Sequence, residues 1–260
     1  MVPPEVIPHL ANQFRRGHAI LFTGAGFSSR AQNTQGEPLP TLTQLREALW
    51  KLCFPGEPVD ETSSAQDIFQ YALTRNPKGL TDLLRQLLTV DAGSLPREYG
   101  VWFSMPWQRV YTLNIDDLPA AVTRKISLPW PLRSVSGTTL GEPPLREGAA
   151  LDVIHLNGTL EDIPDRVTFS TTQYAERLVR QEPWYVRCVA DILTRPVVFV
   201  GTKLDEPPLW QHMELRKARG GRELRELRPK SYLVIPNLDR ARKELLRQLN
   251  IIHLPIGLFT

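Results

Sequence analysis

Residues 19–29 read AILFTGAGFSS and carry the clearest structural signal in the chain. Their apolar first half is typical of a buried strand, which ends in the sequence Gly24-Ala25-Gly26. Glycines let the backbone turn tightly and approach a pyrophosphate, and a helix that follows directs free N–H groups at such an anion. The third glycine of the usual G-x-G-x-x-G pattern is missing, because Ser29 stands there. The stretch predicts a strand, a turn and a helix, with either a phosphate site or a turn that only connects the two elements.

Length and composition favour a globular α/β protein. The chain has 260 residues, of which 42% are apolar, and this is enough for one large domain or two small ones. Its 31 basic and 28 acidic residues nearly balance, so we expect neither nucleic acid nor a membrane as a direct partner. The two cysteines, Cys53 and Cys188, form no Cys-x-x-Cys pair, so we expect no bound metal. Because the N-terminus lacks a secretion signal, we expect a cytoplasmic protein.

Short apolar runs alternate with longer amphipathic stretches, which is the pattern of a parallel α/β sheet. The predicted strands span residues 19–23, 109–113, 152–156, 197–200, 232–235 and 251–254. The predicted helices span residues 6–15, 42–53, 66–74, 80–88, 173–194 with an interruption around Pro183, and 238–249, with Asn237 as a candidate N-cap. We predict an α/β fold, a Rossmann-like doubly wound parallel sheet of about six strands, with a mainly helical insertion or subdomain at about residues 30–105. We expect residues 1–260 to form one domain of a longer protein or complex.

Polar residues recur where the predicted strands end, which is the edge where ligands bind in open parallel sheets. Besides residues 19–29, four runs show this pattern: YTLNIDDL at 111–118, VIHLNGTL at 153–160, FVGTKLDEPPLW at 199–210 and YLVIPN at 232–237. Any one of these runs is explained by a capping turn or a buried histidine. Together and in this order they predict one shared crevice.

The chain resembles the sirtuin family, also called the silent information regulator proteins, over essentially its whole length. The matching segments are Gly24-Ala25-Gly26-Phe27-Ser28 for G-A-G-x-S, Asn114-Ile115-Asp116 for N-x-D, His155-Leu156-Asn157-Gly158 for the H-G element, Gly201-Thr202 for G-T-S, and Asn237 for the asparagine over the adenosine ribose. The resemblance implies an NAD-binding catalytic domain that takes NAD+ as its substrate. The implied NAD+ contacts are Gly24, Ala25, Gly26, Phe27, Ser28, Gly201, Thr202 and Asn237.

Three departures from the family pattern narrow the resemblance. The chain lacks the four-cysteine zinc module of protein-deacylating sirtuins, has GEPLP at 36–40 in place of I-P-D-F-R, and separates His155 from Gly158 by a short spacer. It is therefore similar to the zinc-free sirtuin-like effector domains of bacterial antiphage (abortive infection) systems, which hydrolyse NAD+. This implies a sensor module in the same chain or a partner subunit, such as a STAND NTPase, an Argonaute-associated domain or a HerA-like ATPase, and a homo-oligomer as the active form.

Three residues suit the cleavage of a nicotinamide–ribose bond, which passes through an oxocarbenium-like state. Asn114 donates and accepts hydrogen bonds without titrating, so it is predicted to hold a ribose hydroxyl and a water. His155 is the predicted base, since the ordinary pKa of histidine is about 6.5. Asp116 either orients Asn114 and stabilises the cationic ribose or caps the following helix.

The predicted function is that of an NAD+ glycohydrolase (an NAD+ nucleosidase) that releases nicotinamide and ADP-ribose. Two alternatives stay open. One is an NAD-dependent protein deacylase that lacks the zinc module, and the other is a non-catalytic module that senses NAD+ or ADP-ribose derivatives and mediates assembly.

Overall fold

The structure is a computed structural model that describes residues 4–139, 150–180, 182–204, 209–210 and 229–256. Its strands are β1 (Ile20–Thr23), β2 (Arg109–Thr112), β3 (Leu132–Ser136), β4 (Leu151–His155), β5 (Val197–Val200), β6 (Ser231–Val234) and β7 (Ile251–Leu254). Within the described residues they form one sheet of seven parallel strands in the order β3-β4-β2-β1-β5-β6-β7. The predicted Rossmann-like α/β fold is confirmed.

Helices connect the strands at bounds close to the predicted ones. The helices that the structure describes are α1 (Val6–Arg15), α2 (Ala25–Ser28), α3 (Leu42–Cys53), α4 (Ala65–Arg75), α5 (Pro77–Leu88), α6 (Glu98–Ser104), α7 (Leu118–Lys125), α8 (Thr171–Arg180), α9 (Pro183–Thr194) and α10 (Arg240–Gln248). The predicted interruption around Pro183 is confirmed, because α9 begins at that residue.

One strand, one helix cap, and helices α6 and α7, which are not among the predicted helix spans, differ from the prediction. Strand β3 is absent from the six predicted strands. It buries only Val135 and lies at an edge of the sheet, so its sequence lacks the apolar run that identifies the inner strands. The predicted N-cap Asn237 is wrong: Asp239 precedes α10, and its side chain accepts a hydrogen bond from the Arg242 backbone N–H at 2.8 Å. Asp239 directly precedes the first turn, where a carboxylate reaches a free backbone N–H.

Apolar side chains from both faces of the sheet form two large buried clusters. Leu21 and Val110 belong to one cluster together with residues of α1, α6 and α7. Ile20 and Phe22 belong to the other, with residues of α9 and α10. Helices α3, α4 and α5 supply a third cluster, which also includes residues after β4. Burial on both faces explains why the inner strands read as continuous apolar runs.

Strand β1 is the switch point of the topology. It pairs with β2 on one side and with β5 on the other, so the chain runs outward from β1 in both directions. Loops that follow such neighbouring strands separate and leave a crevice at the carboxyl edge, which is where ligands bind in this architecture. The glycine turn follows β1 directly and therefore lies at that crevice.

Candidate functional site

The glycine turn after β1 packs backbone against backbone on the turn after β5. A Cβ atom on Gly24 would lie 2.8 Å from Thr202 Cβ, and one on Gly201 would lie 2.1 Å from the Phe27 nitrogen. Gly201 also has a φ of +67°, in the left-handed region that favours glycine. The glycines are therefore required for the contact between the two loops, whatever ligand the crevice holds.

The same turn uses part of its backbone hydrogen-bonding capacity within the protein. The Gly26 N–H donates to the Gly201 carbonyl oxygen at 2.9 Å, and the Phe27 N–H donates to the Gly24 carbonyl oxygen at 2.8 Å. Helix α2 is a single turn, Ala25–Ser28. Two of the N–H groups that the sequence pattern assigned to a pyrophosphate thus already have partners.

Asn114 joins the end of β2 to this turn. Its side-chain Nδ2 donates to the Gly24 carbonyl oxygen at 3.1 Å and to Ser28 Oγ at 2.9 Å. Its backbone N–H donates to Thr112 Oγ1 at 3.1 Å, which fixes the first residues after the strand. The structure therefore brings the predicted Asn114 and Ser28 together, with both hydrogens of the amide in use.

Asp116 lies beneath this contact and is almost fully buried. Burial raises the pKa of its carboxyl to about 6, although hydrogen bonds from Ser28, the Leu118 backbone and Asn114 act in the opposite direction. An ionised carboxylate only accepts hydrogen bonds, so the Ser28 hydroxyl donates to Asp116 while its oxygen accepts from Asn114. The hydroxyl that the sequence assigned to the cofactor is thus committed to Asp116, which also caps α7 through the Leu118 N–H at 3.2 Å.

His155, the last residue of β4, contacts the main chain of Asn114. Its Nδ1 lies 2.9 Å from the Asn114 carbonyl oxygen, so Nδ1 carries the hydrogen and Nε2 presents a lone pair. Burial lowers the pKa of this imidazole, which is therefore neutral at pH 7. Nε2 is buried and has no hydrogen-bond partner among the residues that the structure describes.

Asn157 is a buried site residue that the sequence reasoning did not select. Its Nδ2 donates to the Leu113 carbonyl oxygen at 3.1 Å and to the Tyr174 hydroxyl at 3.2 Å, and its Oδ1 accepts from the Tyr185 hydroxyl at 2.9 Å. The available signal was the spacer between His155 and Gly158, which places a second polar side chain at the end of β4. His155 and Asn157 thus hold two successive carbonyl groups of the β2 loop.

A cleft of about 130 Å³ lies over these contacts. One wall is polar and contains Ser28, Asn114, Asp116 and Asn157. The other lining side chains are mostly apolar, and those that we call the apolar wall include Leu39, Leu42, Leu45, Leu88, Ile115 and Phe169. Such a pairing of walls suits a flat ring that carries an amide or a sugar.

A second space, which we call the rear cavity, also has Asp116 in its lining. It measures about 510 Å³ and is lined by Asp116, Ala120, Ser134, Ser136 and His155, among others. Ser136 pairs in register with His155, so both side chains leave the same face of the sheet, which α7 covers. Asp116 lines both spaces, whereas His155 is not among the described residues that line the cleft.

A family model for a SIR2-like domain matches residues 108–254, which is more than half of the chain. The chain belongs to the SIR2-like family. This family includes NAD-dependent enzymes, so the match supports an NAD-utilising enzyme and implies NAD+ binding. No curated protein matches the chain.

The other predicted NAD+ contacts of this SIR2-like chain have different environments. Ala25 is exposed and lines the cleft, but the Phe27 side chain is buried and packs on Tyr99. Thr202 is buried, and its Oγ1 accepts a hydrogen bond from the Leu204 N–H at 2.9 Å. Asn237 is exposed after β6 and lines none of the cavities described above.

In the described ranges, no group of three or more histidine, cysteine, aspartate or glutamate side chains is arranged to hold a metal ion. None of the helices in the described part of the chain is long and apolar enough to cross a membrane.

Proposed function

We propose that the protein is an NAD+ glycohydrolase that cleaves NAD+ into nicotinamide and ADP-ribose without a zinc module. The observation that carries this proposal is the chain of contacts from the glycine turn through Ser28 and Asn114 to the buried Asp116. It joins the expected NAD+ site to a carboxylate in the wall of a cleft. A fixed negative charge and an amide in such a place stabilise a cationic sugar.

The two walls of the cleft support a binding mode for the substrate. The apolar wall offers a surface for the nicotinamide ring, and the polar wall offers Asn114 Oδ1 as an acceptor for a ribose hydroxyl. The turns at Gly24 and Gly201 would approach the pyrophosphate, and Asn237 would contact the adenosine ribose. Because the two turns lie in contact, they would hold the pyrophosphate close to the carboxyl edge of the sheet.

The residues of the site account for each step of the reaction. The bond between the ribose C1′ and the nicotinamide nitrogen breaks, and the electron pair leaves with nicotinamide. Asp116 stabilises the positive charge that develops on the ribose, and Asn114 holds the sugar in place. Water adds to C1′, and the neutral His155 accepts its proton at Nε2, the nitrogen that has a lone pair.

We further propose that this activity is the toxic effector of an antiphage (abortive infection) system in the cytoplasm. The resemblance to bacterial effector domains supports this role. The same resemblance implies a sensor module or partner subunit of the STAND, Argonaute-associated or HerA-like type. The active form would be a homo-oligomer that the sensor triggers. An NADase of this kind must be silent until triggered, because continuous hydrolysis of NAD+ kills its own cell.

Incubation of the purified protein, alone and with its copurifying partners, with NAD+ and no acylated peptide tests the proposal. Chromatography should show equal amounts of nicotinamide and ADP-ribose. Nicotinamide release that requires an acylated peptide would support the deacylase alternative instead. Binding of NAD+ without turnover in every oligomeric state would support the sensing module.

A further inference from the structure

We infer that the rear cavity is the acceptor site of the reaction, which admits a neutral hydroxyl compound, either water or a small alcohol, to the ribose. This inference rests on the proposed glycohydrolase function and adds the identity of the second substrate and its route. The rear cavity and the cleft that we assign to nicotinamide share Asp116 as a lining residue.

The size of the rear cavity is that of a ligand site. Its volume of about 510 Å³ exceeds that of the cleft, about 130 Å³, and lies within the range of roughly 300–1,000 Å³ that is usual for small-molecule pockets. Its floor is formed by β3 and β4, and its cover by α7. Ser134 and Ser136 contribute hydroxyl groups from the floor.

The polar groups of the cavity fit a hydroxyl compound better than an ion. Its arginines are already paired, Arg124 with Asp117 at 3.2 Å and Arg166 with Asp162 at 3.1 Å. The group that lacks a partner within the described residues is His155 Nε2, a neutral acceptor. An O–H donor satisfies this nitrogen, whereas a carboxylate or a phosphate diester, which has no proton to donate at neutral pH, does not.

A small gap, otherwise lined mainly by apolar side chains, borders both this acceptor and the polar wall of the cleft. Ser28, Asn114, Asp116 and His155 border a space of about 10 Å³, and a volume of roughly 10–15 Å³ holds one water molecule. Ser28, Asn114 and Asp116 also line the cleft, and Asp116 and His155 also line the rear cavity. A single oxygen atom can therefore lie between His155 and the polar wall of the cleft.

The proposed step balances in atoms and electrons. The C1′–nitrogen bond breaks and nicotinamide leaves with the electron pair. The oxygen of the acceptor forms the new bond to C1′, and its proton passes to His155 Nε2. Water gives ADP-ribose, and methanol gives the methyl glycoside of ADP-ribose.

Partition between water and methanol tests the assignment in the full-length protein. Ala120→Phe on α7 and Ser134→Phe on β3 each add a bulky ring to the wall of the rear cavity without changing a residue of the cleft. At fixed methanol concentration we expect the ratio of methyl glycoside to ADP-ribose to fall about tenfold in both variants. Methanol is larger than water, so the added ring excludes methanol more strongly. Lys125→Phe is the matched control on the exposed side of α7 and should leave the ratio unchanged.

The outcomes separate the two proposals. If the parent protein releases nicotinamide and both cavity variants fold and keep the parent ratio, the acceptor site is wrong and the glycohydrolase function stands. If the parent releases no nicotinamide in any assembly, both proposals are wrong. Circular dichroism and thermal unfolding of each variant show whether it is folded.

Discussion

The ends of β2 and β4 are joined by side chains, whereas the ends of β1 and β5 are joined by backbone. In the first joint, His155 and Asn157 bind the carbonyl groups of Asn114 and Leu113. In the second joint, glycine backbone packs on glycine backbone, with no space for a Cβ atom. One side chain of the first joint can be removed without loss of the fold. The second joint has no side chain to remove, and an added side chain would disrupt it. The first is therefore suited to chemistry and the second to holding a ligand against the sheet.

Asn114→Ala removes the side chain that joins the residues after β2 to the glycine turn, and keeps the main chain that the side-chain joint holds. We expect nicotinamide release to fall by about 10² to 10³, since the sugar and the carboxylate lose their common hydrogen-bond partner. The fold should persist, because the His155 contact uses the Asn114 main chain, which alanine keeps. Asn12→Ala on α1 is the matched control and should keep parent activity. Parent-like release by Asn114→Ala would remove this residue from the mechanism.

Gly201→Ala tests the backbone joint. The new Cβ atom would lie 2.1 Å from the Phe27 nitrogen at a φ of +67°, so we expect the free energy of unfolding to fall by about 2–4 kcal/mol. Gly17→Ala is the matched control, because Gly17 has a φ of +62° with nothing within 4 Å of its Cβ position. It should lose only about 1 kcal/mol, from backbone strain. Equal losses in chemical denaturation would show that the contact between the loops does not stabilise the protein.

Asp116→Asn tests the buried carboxylate through the pH dependence of stability. The pKa of Asp116 is about 6 in the folded protein against an ordinary value of 3.8. The folded state thus binds this proton more tightly, and the resulting stability is present below about pH 4 and lost as the pH rises through about 6. Asparagine is never charged, so at pH 8 we expect the variant to be more stable than the parent by about 1–3 kcal/mol.

The same variant should lose most of its nicotinamide release, because the negative charge opposite the ribose is gone. Denaturation at pH 8 and pH 4 measures the stability difference, which should vanish at the lower pH. A difference of the same size at both pH values would mean that charge burial is not its cause.

Asn237→Ala should give the smallest effect, since the residue is exposed and belongs to neither joint. We expect KM for NAD+ to rise about threefold with kcat unchanged, as for a contact made equally in the ground and transition states. Steady-state kinetics over a range of NAD+ concentrations measures both constants. A drop in kcat of the size expected for Asn114→Ala would place Asn237 in the chemical step.

The sequence contains most of the fold because the inner strands are buried on both faces. Their apolar runs are visible without a structure. The edge strand β3 buries one side chain and so gives no such run. Its position follows from pairing with β4, which is a long-range contact.

The candidate site was predictable as a set of residues and not as a set of contacts. Strand ends and glycines indicate which residues meet at the carboxyl edge. They do not show that the Ser28 proton is directed to Asp116, or that Asn157 lines the cleft where His155 does not. Those features depend on the direction of each side chain beyond the end of its strand, where the alternation of a strand no longer applies.

The close contact between Gly26 and Gly201 also sets where this chain can be re-engineered. A Cβ atom on Gly26 would lie 3.0 Å from Gly201 Cα, so the turns after β1 and β5 leave no space for grafted loops or inserted residues. The turn at Gly56 has a φ of +85° and nothing within 4 Å of its Cβ position, and its neighbours 55–58 are mostly exposed. A fluorescent reporter or affinity tag would therefore be tolerated between α3 and α4, far along the chain from the residues of the candidate site.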